Sequence, residues 1–197
     1  MNSLNDHRQL EELIVSGFGG QGVLSLGMTL AYAGMVENKE ISWMPSYGPE
    51  MRGGTANCIV ILSNTKISSP ILSMFDSAIV LNQPSMDKFA PRVKPGGLLL
   101  YESASILQPA IRTDIIITGI PAITEALKMK NAKVMNMIML GAYLQLKPVV
   151  QNDSIIEALA KVLPEKYHNL LPINRQALES GEELAKEIKQ QKTLTQV

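Results

Sequence analysis

One cysteine in 197 residues, Cys58, is the first constraint. It excludes an internal disulfide framework. It also excludes an iron–sulfur cluster held by this chain alone, because such clusters usually take four thiolates. Aromatic residues make up only 5% of the chain, leaving few rings to stack on nucleic-acid bases. No apolar run reaches the roughly 18 to 20 residues of a membrane span. An excess of one charge is missing too. The 18 basic and 18 acidic side chains cancel, with no basic stripe, so neither nucleic acid nor a membrane is expected as a partner. The opening MNSLNDHRQLEEL is polar and carries no signal-peptide apolar core, so a cytoplasmic protein is expected. The two histidines, His7 and His168, form no nucleophile–base pair with a neighbour in sequence. No catalytic residue and no metal site are assigned.

What is present is an apolar content of 46%, enough for one ordinary domain with a real core, expected over 1–197. Short β-rich runs occur at Leu13–Val15, Ile41–Met44, Thr55–Leu62, Ala78–Leu81, Leu98–Tyr101 and Ile115–Ile117. Helical spacing spans Gln21–Met35, and a short helix follows at Met86–Phe89. Helices take over afterwards at Ile123–Lys128, Val134–Leu146, Ile155–Leu163 and Asn174 to about Gln190. Strands alternating with helices predict an α/β fold. It is expected to be doubly wound, with a mostly parallel Rossmann-like sheet, helices on both faces and a helical C-terminal region. The run VMNMIMLGAYL, within a chain of eleven methionines, is apolar on nearly every side. It must be covered all round, as a core helix or as a subunit contact.

Two loops carry the functional signal. Ser16-Gly-Phe-Gly-Gly-Gln-Gly22 matches G-x-G-x-x-G through Gly17, Gly19 and Gly22, after a strand and before a helix. Glycines there, with Gly20 and Gln21 between them, allow a tight turn that aims helix-N-terminal amides at an anion. An NAD site would also need a carboxylate roughly 20 positions on, at the end of the second strand. Glu37 and Glu40 fall before or at its start instead. That absence disfavours dinucleotide binding of the NAD type. The second loop, SYGPEMRGGT, places Tyr47, Glu50, Arg52 and the Gly53-Gly54 pair after the second strand. If the first two strands are parallel neighbours, both loops share the rim where open sheets bind ligands. Arg52 then offers a fork for phosphate or carboxylate.

GFGGQGV at 17–23, WMPSYGPEMRGGTANC at 43–58 and LNQPSMDKF at 81–89 resemble the gamma subunit of 2-oxoacid:ferredoxin oxidoreductases. VKPGGLLLYESASI, NMIMLGAYL and LPEKYHNLLPINRQALESG extend the resemblance over nearly the whole chain. It implies a subunit of a complex that oxidatively decarboxylates a 2-oxoacid, such as 2-oxoglutarate or 2-ketoisovalerate, with coenzyme A. The products are acyl-CoA, carbon dioxide and reduced ferredoxin. The resemblance implies that thiamine diphosphate and Mg²⁺ sit in alpha and beta subunits. Iron–sulfur clusters are implied in beta and delta subunits, so this chain holds no cofactor alone. Its expected contributions are to assembly and to the coenzyme A region, through Gly17, Gly19, Gly20, Gln21, Gly22, Tyr47, Glu50, Arg52, Gly53 and Gly54. The alternative expectation is a free-standing nucleotide-binding α/β protein.

Overall fold

The computed structural model describes residues 10–47 and 54–195. Its first strand, β1 (Leu10–Phe18), is central, and residues Leu13 to Gly17 are buried on both faces. Burial on two faces is why its middle is continuously apolar and shows no alternation. The strand runs longer than its apolar run because β3 (Thr55–Ser63) pairs with all of it, from Leu10↔Ser63 to Phe18↔Thr55. The other strands are β2 (Glu40–Tyr47), β4 (Phe75–Val80), β5 (Val93–Glu102) and β6 (Ile116–Ile120), in the order β2-β3-β1-β4-β5-β6.

β1, β4, β5 and β6 are parallel neighbours, while β3 runs antiparallel to both β1 and β2. The expected α/β architecture is therefore present, but β1 and β2 are not neighbours. The antiparallel β3 lies between them. The connection from Tyr47 to Thr55 is far shorter than the dozen or so residues a parallel crossover needs, so β2 turns back as a hairpin. β2 still points the same way as β1, which keeps its carboxyl end on the same rim. Pro45 falls within β2, an edge strand, where a missing N–H is tolerated.

Among the described residues, six α-helices cover the sheet: α1 (Val23–Val36), α2 (Gln83–Phe89), α3 (Ala122–Lys128), α4 (Met135–Leu146), α5 (Asn152–Val162) and α6 (Leu171–Thr195). One face packs Leu13, Val15, Cys58, Val60 and Leu62 against Leu26, Leu30 and Ala33 of α1, with α4 and α6 in the same core. Every residue of α4 from Met135 to Leu144 is buried. Its apolar circumference is thus core, decided between the two readings of its sequence. The other face buries Ile14, Ala78 and Val80 under Met86 and Phe89 of α2. There Phe75 and Phe89 meet edge to face, with centroids 6.2 Å apart. At the far end of β1, the buried Glu11 accepts from Tyr143 Oη at 2.9 Å and from Ser77 Oγ, and pairs with Lys147 at 3.4 Å. These contacts tie β1, β4 and α4 together while leaving the carboxylate satisfied.

Cys58 sits on β3 under α1, fully buried, with Sγ 3.6 Å from the Val23 carbonyl. Burial pushes its thiol from 9.0 up to about 12, against smaller opposing pulls from Trp43 and the Gly27 backbone. Reactivity belongs to the thiolate. The shift leaves roughly 1,000-fold less of it at pH 8 than a free thiol has. Iodoacetamide labelling of the folded chain at pH 8 is expected to be negligible until urea unfolds it. Equal rates in native and unfolded protein would contradict this burial.

Candidate functional site

α1 leaves β1 on one face of the sheet and α2 leaves β4 on the other. Two crossovers departing on opposite faces make the β1/β4 junction a topological switch point. Open α/β sheets bind ligands outside the carboxyl ends of their strands at such a junction. The glycine turn sits on this rim.

Gly17 ends the buried part of β1, and a Cβ there would lie 2.6 Å from Gln21 Oε1 and 3.0 Å from Leu81 Cβ. The lack of a side chain lets Gln21 fold back across the junction. Its Oε1 accepts from the Phe18 N–H at 2.6 Å, and its Nε2 donates to the Leu81 carbonyl at 3.0 Å. Gln21 thus stitches the end of β1 to the end of β4. Its backbone N–H donates to Phe18 O at 3.2 Å, closing a tight turn with Gly20 at φ 94°. A type II turn requires a positive φ at that third position. Gly22 follows as the N-cap of α1.

Among the described residues, the second loop meets the first at Gly54. Gly19 N–H donates to the Gly54 carbonyl at 3.0 Å. Gly17, Gly19, Gly20, Gln21, Gly22 and Gly54 are therefore brought together. Tyr47 ends β2 opposite Ala56, one strand further out. Glu50, Arg52 and Gly53 lie outside the described residues. The expectation of a cradle of open amides is narrowed, because Gly19 and Gln21 use their N–H groups internally. The amides of Val23, Leu24 and Ser25 precede the first helical bond, from Leu26 to Gly22. They remain at the rim as an anion-favouring helix start.

Several residues at the junction escaped the sequence reading. Asn82 caps α2, its Oδ1 accepting from Ser85 N–H at 2.9 Å, while its buried Nδ2 has no partner among the described residues. The oxygens of Ser16 and Ser85 are 2.8 Å apart. Glu102, fully buried at the end of β5, accepts from Ser105 N–H at 2.6 Å and Ile123 N–H at 3.1 Å. Ser105 Oγ shares the Leu81 carbonyl with Gln21, at 3.0 Å. Asn136 Nδ2 reaches the Gly22 carbonyl at 3.4 Å. Two of these had signals. Asn82 with Pro84 behind it has the form of a helix cap with an early proline. Asn136 is the only amide among the first turns of a methionine-rich helix, and a buried amide needs a partner.

The chain matches the family described as pyruvate ferredoxin/flavodoxin oxidoreductase over residues 12–184. It is 41% identical over 176 residues to the ketoisovalerate oxidoreductase subunit VorA of Methanothermobacter thermautotrophicus. That alignment covers 88% of this chain and 36% of VorA. This chain thus spans about a third of that relative's length. A keto/oxoacid ferredoxin oxidoreductase gamma subunit from Geobacter sulfurreducens superposes with a TM-score of 0.78 at 29% identity. The match covers 91% of this chain and 98% of that one. The 2-oxoglutarate:ferredoxin oxidoreductase of Magnetococcus marinus, solved with 2-oxoglutarate, coenzyme A and succinyl-CoA bound, gives a TM-score of 0.84 at 26% identity. It is covered over 32% of its chain, against 92% of this one.

Proposed function

The chain belongs to the pyruvate ferredoxin/flavodoxin oxidoreductase family, and from that premise we propose that it serves as the gamma subunit of a 2-oxoacid:ferredoxin oxidoreductase. The reaction joins the acyl group of a 2-oxoacid to the sulfur of coenzyme A, releases carbon dioxide and passes two electrons to ferredoxin. The 2-oxoacid is of the 2-ketoisovalerate or 2-oxoglutarate type, both named among the relatives. Thiamine diphosphate, Mg²⁺ and iron–sulfur clusters belong to alpha, beta and delta partners in the cytoplasm. Here the single cysteine is buried and held as a thiol, which suits a subunit that positions and does not carry electrons. The free-standing nucleotide-binding alternative gives way to the family membership.

The bond from Gly19 to Gly54 carries the site reading. It ties Gly54, at the far end of the second loop, to the glycine turn. In this reading the two loops form one rim of the coenzyme A region, with Arg52 serving a phosphate or a partner's carboxylate. Arg52→Ala in the co-expressed complex is expected to cost about 1.5 to 3 kcal/mol in the affinity concerned, roughly 10- to 150-fold. Viologen-coupled turnover against coenzyme A, together with gel filtration, separates the roles. A raised KM for coenzyme A in an intact complex supports the ligand rim. Loss of the subunit makes Arg52 a docking residue, and wild-type behaviour in both assays removes it from the site. Substrate class is tested separately, by turnover of the wild-type complex on a 2-oxoacid panel.

A further inference from the structure

A groove of about 620 Å³ opens beside the start of α1, bounded by α4, α5 and α6. Val134, Met137 and Leu159, all buried, form an apolar floor, and Leu163 and Leu170 rise at its side. Tyr167 stands at the edge and stays 45% exposed. Tyrosine and methionine around an apolar floor are the side chains enriched where proteins meet.

The charge around this groove has one sign. No carboxylate lines it. Lys130 and Lys133, both exposed, belong to the lining, and Lys166 lies over the Tyr167 ring, 5.0 Å from its centroid. None of the three has a carboxylate partner among the described residues. Elsewhere Lys94, Lys128, Lys147, Lys161 and Lys186 each meet an acid at 3.4 Å or less. In a chain of zero net charge, three unpaired lysines around one apolar groove leave a local positive field.

From this arrangement we propose that the groove seats an amphipathic helix with acidic flanks, supplied by a partner subunit. The proposal rests on the subunit reading above. The floor takes the apolar stripe of the helix, and the lysines meet the carboxylates beside it. An extended strand fits less well, because no strand borders the groove. Its amides would go unpaired on an apolar floor, whereas a helix pairs its own. In VorA the matched segment is about a third of one longer chain, so further polypeptide accompanies this body there. Asn136 lines the groove and also bonds the Gly22 carbonyl. A helix docked here therefore holds the partner beside the glycine turn.

The test uses the complex co-expressed with its partner subunits. Association is measured by sedimentation velocity at falling concentration, in low and in high salt. Lys130→Glu, Lys133→Glu and Lys166→Glu together are expected to raise the dissociation constant at least about tenfold. They should also flatten its salt dependence, because salt screens exposed charge pairs. The matching triple Lys→Arg variant should keep wild-type affinity and salt dependence. The unfolding midpoint of the free chain should not move in either, since all three side chains are exposed. p-Benzoylphenylalanine in place of Tyr167 then captures the occupant. The expected cross-link is a partner peptide with apolar residues at i, i+3 and i+4 and acidic residues between them. A Glu variant that assembles as tightly as wild type overturns the proposal and leaves the subunit reading intact. So does cross-linking only to a second copy of this chain, only to a peptide without acidic residues, or to nothing. A wild-type chain that associates with no partner overturns the subunit reading, and this proposal with it.

Discussion

Gly22→Val is expected to destabilise the chain by about 3 kcal/mol, the sum of two effects at one position. Gly22 holds φ 77° as the N-cap of α1. An L side chain there costs about 1 to 2 kcal/mol, and a β-branched one is the least suited. A Cβ would also lie 2.7 Å from Asn136 Nδ2 and 2.8 Å from its Cγ. Asn136 is buried at the start of α4, so its retreat disturbs close packing at a further cost of about 1 to 3 kcal/mol. Gly20→Ala is the control. Its φ is also positive, at 94°, but nothing lies within 4 Å of a Cβ there, so only the backbone term of about 1 to 2 kcal/mol applies. Urea titration should show a lower midpoint with an unchanged slope for both variants. Equal losses in the two would mean that the Asn136 contact contributes nothing.

The second large effect lies where α4 crosses α6. A Cβ on Gly141 would overlap the Leu178 carbonyl oxygen, and one on Gly181 would overlap the Ile138 carbonyl oxygen. The two backbones touch, and a backbone cannot rotate aside as a side chain can. Intrinsic propensity argues the other way, because alanine favours a helix over glycine by about 1 kcal/mol. Packing should win. Gly141→Ala is expected to cost about 3 kcal/mol net, lowering Tm by roughly 6 to 12 °C for a chain of this size. A variant more stable than wild type by about 1 kcal/mol would mean that the helices separate at no cost. The site would feel the expected loss too, since α4 carries Asn136 against Gly22.

Both predictions depend on contacts between segments far apart in sequence, and that is where the sequence reading thinned. The glycine turn was legible because its requirement is local. A strand that must turn sharply into a helix needs positive φ, and only glycine meets this cheaply. The strands at Thr55–Leu62 and Ala78–Leu81 were legible for a similar reason, since β-branched and aliphatic runs suit a buried sheet. The all-apolar α4 announced its burial, though not what would cover it. That choice was made by α6 above all, with α3 and α1 beside it.

The residues missed at the junction are of another kind. Glu102 seemed an ordinary acidic residue in YESAS, yet it is fully buried and caps the start of α3. Gln21 was expected in the site only as a residue of the glycine loop, yet its side chain joins two strands through Leu81. No local pattern marks such a role, because the partner groups are backbone amides and carbonyls, which every residue carries.

By itself the sequence determined the element types and the α/β class, and it singled out the two loops proposed for the site. Its single cysteine carries the expectation of no iron–sulfur cluster held by this chain alone. These follow from periodicity, turn chemistry and composition, which act over a few residues. Tertiary structure alone decided that β3 separates β1 from β2, that Gly19 is tied to Gly54, and that Asn136 rests on Gly22. Strand order and long-range hydrogen bonds are settled by which surfaces can be buried together, a competition among all segments at once.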